Sequence, residues 1–198
     1  MRGPISVDKA KEFKKLINHE LFVWDNYPVN NGVPNLNLGP VVYRDPGLSR
    51  LCEGYVSNSM RYENELNRIP MFTIADYTWN PEAYDPVRSV QQAILHLTDT
   101  REQAELLKDV TNVYYGFLLG PDRHSNTARV TFNALVKEKQ SVLQSLLFVR
   151  HLEDILNRFE TLYPTRYQAE KKVIKNDILW MKDCMFAKYP QFTEKSFN

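Results

Sequence analysis

With 198 residues, 43% of them hydrophobic and 12% aromatic, the chain can bury a sizeable core, which excludes wholesale disorder. Lys+Arg numbers 25 against 24 for Asp+Glu, so neither nucleic acid nor a membrane is the expected partner. Neutrality suits a carbohydrate or protein partner. In chain order, the stretch Met1 to Ser6 has no apolar signal core and no apolar run is long enough to span a bilayer, so no export address is read and the compartment stays open. Ser6 is placed as an N-cap, with Val7, Ala10, Phe13 and Ile17 at helical spacing behind it. Leu21 to Trp24 is a short, continuously apolar run, as expected of a strand buried on both faces. It stops at a polar loop, Asp25 to Gly32, punctuated by Pro28 and Gly32. A second cycle follows: a short helix from Gly47 to Cys52, a strand Gly54 to Ser57 ending on Asn58, and a helical stretch from Tyr62 to Tyr77 interrupted near Pro70. Helix, strand and polar loop in repetition is the grammar of a parallel α/β fold.

The pattern changes after Trp79-Asn80-Pro81. Asp85-Pro86 reads as an N-cap with proline at the first helical position, opening a helix to about Leu97. Thr100 to Gln103 has the capping-box pattern and starts a helix running to about Phe117, followed by a loop from Leu119 to Asn126. A long periodic stretch then puts Val142, Leu146, Val149, Leu152, Ile155, Leu156 and Phe159 on one face. Thr165 to Gln168 reads as another capping box, opening a last helix through Met185. Nothing after Pro81 alternates with period two. Residues 1–80 are therefore expected as an α/β part and 81–198 as a bundle of four or five helices.

The best candidate site lies in the two loops that end the apolar strands, because parallel strands deliver ligand-binding loops to one face. These loops offer Asn26, Asn30, Asn31, Ser57, Asn58 and Ser59, flanked by Trp24, Tyr27 and Tyr55. An asparagine amide pairs a donor with an acceptor, which matches sugar hydroxyls, and an aromatic ring matches the apolar face of a pyranose. Asn, Pro and Gly also gather in turns for conformational reasons alone. The cluster His151, Glu153 and Asp154 reads as a solvated helix face, and His96 beside Asp99 as a helix terminus. Cys52 and Cys184 are too far apart in sequence for a metal-ligand motif and are expected as free thiols. No metal and no cofactor is expected.

Four segments occur in order: Phe22 to Asn31 (FVWDNYPVNN), Leu38-Gly39-Pro40, Gly54 to Met60 (GYVSNSM), and Ala75 to Asn80 (ADYTWN). In order and spacing this resembles the O-GlcNAcase/hyaluronidase-type β-N-acetylglucosaminidases, over nearly all of residues 3–120 and more loosely beyond. The resemblance implies the C-terminal portion of a (β/α)8 (TIM) barrel over 1–80, followed by the helical bundle. It implies retaining hydrolysis in which the substrate's own acetamide oxygen attacks the anomeric carbon, an exception to the two-carboxylate scheme. The family's two adjacent catalytic Asp residues have no counterpart here: no Asp-Asp pair exists in the chain, and the pair is expected upstream of Met1. What the resemblance transfers is substrate binding, by Asn26, Asn31 and Asn58 with Trp24 as a pocket wall. Asn31 stands where the family usually has an Asp, so the charge-assisted grip on sugar hydroxyls is lost there. Gly32 also replaces what is often an aromatic in the family. The implied partners are an N-acetylglucosamine-bearing glycan or glycoprotein and the remaining N-terminal barrel half. The competing expectation is a non-catalytic helical protein-interaction module with a vestigial barrel remnant.

Overall fold

The computed structural model describes residues 4–28, 35–58, 65–116, 127–137 and 142–189. Among these residues the regular structure is two parallel strands and seven α-helices, with short 3-10 turns between them. Helix α1 (Val7–Lys14) starts where Ser6 Oγ accepts the Lys9 N–H. Strand β1 (Leu21–Asp25) follows, then a 3-10 turn Pro46–Arg50 capped by Asp45, and strand β2 (Cys52–Ser57). A second 3-10 turn, Glu65–Asn67, leads directly into α2 (Arg68–Trp79). The remaining helices are α3 (Pro86–Leu97), α4 (Arg101–Val113), α5 (Thr127–Lys137), α6 (Val142–Leu162) and α7 (Gln168–Lys188). None of the described helices is long and apolar enough to cross a membrane.

Local chemistry explains most boundaries. Asp85 Oδ1 accepts the N–H groups of Val87 and Arg88 at 2.9 Å, and Pro86 occupies a position whose N–H would be unpaired anyway. Thr100 and Gln103 form a reciprocal capping box at the start of α4. The face of α6 read from the sequence is buried at Val149, Leu152, Ile155 and Phe159.

Three expectations are corrected. Pro70 does not interrupt α2: it sits in the first turn, where a missing N–H breaks no helical bond. Thr165 caps nothing. Helix α7 begins two residues later, after Tyr167 in the left-handed region (φ 57°), and the Tyr167 N–H is taken by Glu65 Oε1 at 3.2 Å. A long-range carboxylate has replaced the local cap. Finally, β1 is not buried on both faces, since Phe22 is 61% and Trp24 63% exposed. Leu21 and Asp25 point inward, while the alternate residues point to a face that nothing among the described residues covers.

The strands pair in parallel with Val23 opposite Tyr55, Trp24 opposite Val56 and Asp25 opposite Ser57. Behind their inner face a small cluster of Tyr27, Val41, Ile74 and Tyr77 packs with Tyr55 and Tyr84. The main core draws on both parts of the chain. Leu36, Leu38, Leu66 and Ile69 are buried in the same cluster as Leu106, Leu107, Phe159 and Ile174. Polar ties cross at the same places. The Leu38 N–H donates to Tyr114 O at 2.9 Å, the Leu66 N–H to the buried Glu170 at 2.8 Å, and Arg166 to Glu65 at 2.9 Å. Within the bundle, Asp177 accepts from Arg129 at 2.7 Å and from the Tyr114 hydroxyl at 3.0 Å, joining α4, α5 and α7.

Candidate functional site

The C-terminal ends of β1 and β2 bring three of the four sequence-assigned residues together. Asn26 Oδ1 accepts two hydrogen bonds, from Trp24 Nε1 at 3.1 Å and from Asn58 Nδ2 at 2.9 Å. Because strand side chains alternate, Trp24 and Asn26 emerge on the same, open face as Phe22 and Val56. With Asn26 Oδ1 doubly occupied, the Asn26 Nδ2 hydrogens and Asn58 Oδ1 have no partner among the described residues. The site therefore offers a donor, an acceptor and an exposed indole. That set can bind a polyhydroxylated ring but holds no acid, base or nucleophile. Asn30, Asn31, Gly32 and Ser59, and the Leu119–Asn126 loop, lie outside the described residues.

Tyr27 and Tyr55 flank the site in sequence but belong to the opposite face. The Tyr27 hydroxyl donates to Gly39 O, and that of Tyr55 to the Asp25 carboxylate. Burial pushes both phenols far above their usual range, so both are neutral donors. Asp25 is fully buried and held by a two-pronged ion pair, Arg44 Nε to Oδ2 and Nη2 to Oδ1, each 2.7 Å. Burial alone would lower the Arg44 pKa; the hydrogen bond with Asp25 overrides it, and the guanidinium is held above its ordinary value. Arg44 also donates to Val42 O at 2.6 Å and lies 5.4 Å from the centre of the Tyr27 ring.

Asp25, Arg44 and Tyr55 were missed as a unit in the sequence. Parity puts Asp25 on the same face as Leu21, but the continuous apolar run of β1 did not say which face is inward, and the structure shows Leu21 and Asp25 buried together. Elsewhere, Glu153 and Asp154 engage Lys182 and Arg158 in ion pairs, and His151 is exposed. Cys52 and Cys184 are half-buried free thiols. Among the described residues no group of three His, Cys, Asp or Glu could hold a metal ion.

Residues 1–112 match the family described as NAGidase, beta-N-acetylglucosaminidase. Among solved structures, a mutant of the Thermobaculum terrenum O-GlcNAc hydrolase is similar at 25% identity and a TM-score of 0.62, over 90% of this chain and 40% of that one. CpGH84B is similar in fold at 22% identity and a TM-score of 0.57, over 92% of this chain and 32% of that one. The chain thus spans well under half the length of either relative. A family match over more than half of its residues establishes that the chain belongs to the β-N-acetylglucosaminidase family.

Proposed function

We propose that this chain is the C-terminal part of a retaining, substrate-assisted β-N-acetylglucosaminidase that removes terminal N-acetylglucosamine from glycoconjugates. It supplies the hydroxyl-binding side of the sugar pocket. The observation that carries the reading is the Trp24–Asn26–Asn58 cluster at the ends of two adjacent parallel strands, on an uncovered face. In this reading residues 1–80 complete a (β/α)8 barrel and 81–198 form the bundle docked against it. Two strands cannot close a barrel, which needs about 250 residues. The exposed strip of Phe22, Trp24 and Val56 is then the lumenal face, covered by the remaining strands. The carboxylates that orient the acetamide and act as general acid and base come from that missing part. In this reading Asn26 lies near the acetamide and the catalytic groups, while Asn58 and Asn31 hold ring hydroxyls.

The test is hydrolysis of an aryl N-acetylglucosaminide by the chain alone and with the N-terminal barrel half supplied. The isolated chain should show only background turnover, since general acid/base help alone is worth about 10²–10⁴-fold. Adding the other half should restore turnover. Hydrolysis by the pure isolated chain, blocked by a thiazoline-type inhibitor, would refute the placement of the catalytic pair. A second reading, a non-catalytic helical interaction module, is favoured by one feature. An apolar groove of about 590 Å³ runs between α3 and α4, lined by Val87, Ile94, Leu95 and Tyr115. A barrel half that neither binds nor activates the chain would favour that reading.

A further inference from the structure

The turn that carries Asn26 is fixed from both sides, although Asn26 itself is exposed. On one side Asp25 is clamped by Arg44 and by the Tyr55 hydroxyl, and its backbone O accepts the Asn58 N–H at 2.7 Å. On the other side Tyr27 O accepts the Ser57 hydroxyl, and Tyr27 lies under the Arg44 guanidinium. Asp25 is thus tied to β2 through both its side chain and its backbone. The Asn26 amide spans the gap that these ties define.

We propose that Asp25, with Arg44 and Tyr55, forms a positioning unit for the Asn26–Asn58 amide pair. It fixes the separation of the strand ends so that Asn26 presents Nδ2 hydrogens and Asn58 presents Oδ1 to the ligand. This rests on the reading of the two asparagines as sugar-binding. The geometry gives the orientation a physical basis. The Trp24 N–H can only donate, so it fixes Asn26 Oδ1 toward itself; rotating the Asn26 amide by half a turn would lose that bond, and would lose the Asn58 bond too unless Asn58 rotated with it. The amides are therefore polarised in one sense only while the strand ends stay at this spacing. A bidentate guanidinium–carboxylate pair is suited to holding it, because its two parallel bonds fix angle as well as distance. Lysine at position 44 would keep the charge and lose the fork.

The experiment uses the full chain, labelled with 15N. Exchange with water is read at the Trp24 indole N–H and the Asn58 side-chain NH2, alongside the thermal melt. Arg44→Lys should accelerate exchange at both groups by about tenfold, the loss of roughly one charged hydrogen bond. Tyr55→Phe should act in the same sense and more weakly, and it decides the matter if Arg44→Lys does not fold. Arg129→Lys, at the Asp177 pair in the bundle, is the control. It should lower the melting temperature without moving the Trp24 signal. The proposal is overturned if folded Arg44→Lys or Tyr55→Phe exchanges at the wild-type rate, or if Arg129→Lys accelerates Trp24 equally. Titrating N-acetylglucosamine into the wild-type chain tests the sugar reading separately. Unmoved Trp24, Asn26 and Asn58 signals there, with the Arg44 effect intact, would count against the ligand and in favour of the positioning unit.

Discussion

Gly39 offers the sharpest test of how the site-bearing segment docks on the bundle. A Cβ added there would lie 2.0 Å from Tyr115 O, 3.1 Å from its carbonyl carbon and 3.2 Å from its ring. The obstructing atom is backbone, so relief requires the two chain segments to part by more than about 1 Å to reach ordinary contact distance. They are tied where they would have to separate, by the Leu38 N–H to Tyr114 O bond, with Leu36, Leu38 and Tyr114 completely buried around it. Gly39→Ala should therefore cost about 3 kcal/mol, the upper end of ordinary overpacking. For a chain of this length that lowers the melting temperature by about 6–12 °C. Gly54→Ala is the matched comparison. Its Cβ would meet the Phe22 ring at 2.1 Å, a similar overlap, but that ring is the far end of an exposed side chain and can swing outward. Alanine also restricts the unfolded chain, a gain of about 0.4–1 kcal/mol, so the net change at Gly54 should stay within about 1 kcal/mol. Thermal and urea melts of both variants decide it. A Gly39→Ala protein melting within about 2 °C of wild type, or no further down than Gly54→Ala, would refute the reasoning.

Two carboxylates at the junction with α7 should behave oppositely. Glu170→Ala should destabilise by about 1–3 kcal/mol, by stranding the buried Leu66 N–H. Glu170→Gln keeps an acceptor there, and burial holds the native carboxyl above the ordinary glutamate range, so its ionisation costs stability as pH rises. Melts should show Gln gaining on wild type from about pH 4 to pH 7, and a flat difference would contradict the burial argument. At Glu65, burial alone would raise the carboxyl. The Arg166 hydrogen bond, with that from the Tyr167 N–H, overrides it and holds the group below the ordinary range. The stability it adds is present above that range and lost as pH falls through it, so Glu65→Gln should lower the melting temperature near pH 7 and converge with wild type near pH 3. An unchanged gap at the two pH values would show that the charge of Glu65 adds nothing to stability.

What could be read from the sequence follows the range of the interactions involved. The starts of α1, α3 and α4 were legible because Ser6, Asp85 and Thr100 act within three residues of themselves. The start of α7 was not. Thr165 and Gln168 carry the same local pattern, yet Glu65, about a hundred residues earlier, reaches the Tyr167 N–H and sets the boundary instead. Helix α5 was not separated from the long periodic stretch, since its buried pair, Ala128 and Phe132, spans little more than one turn. The apolar run of β1 was read as doubly buried. Composition says only that such residues can be buried on both faces, and whether they are depends on what lies opposite.

The site shows the same limit within two adjacent residues. Asn26 was legible as a polar residue closing a strand, and Asn58 as its counterpart on the next strand. Asp25 looked like the first residue of the same polar loop. Period two assigns Asp25 and Asn26 to opposite faces, and the faces give them opposite work. Asp25 meets Arg44 and Tyr55, residues 19 and 30 positions away that no local pattern links to it. Asn26 meets Trp24 and Asn58 at the open surface. A buried carboxylate persists only when its charge and lone pairs are answered, so Asp25 commits the strand end to one position. The exposed Asn26 amide has no such obligation, and it is oriented by its hydrogen bonds with the Trp24 indole and the Asn58 amide. In the proposed positioning unit, exposed Asn26 thus relies on buried Asp25, its neighbour on the opposite face.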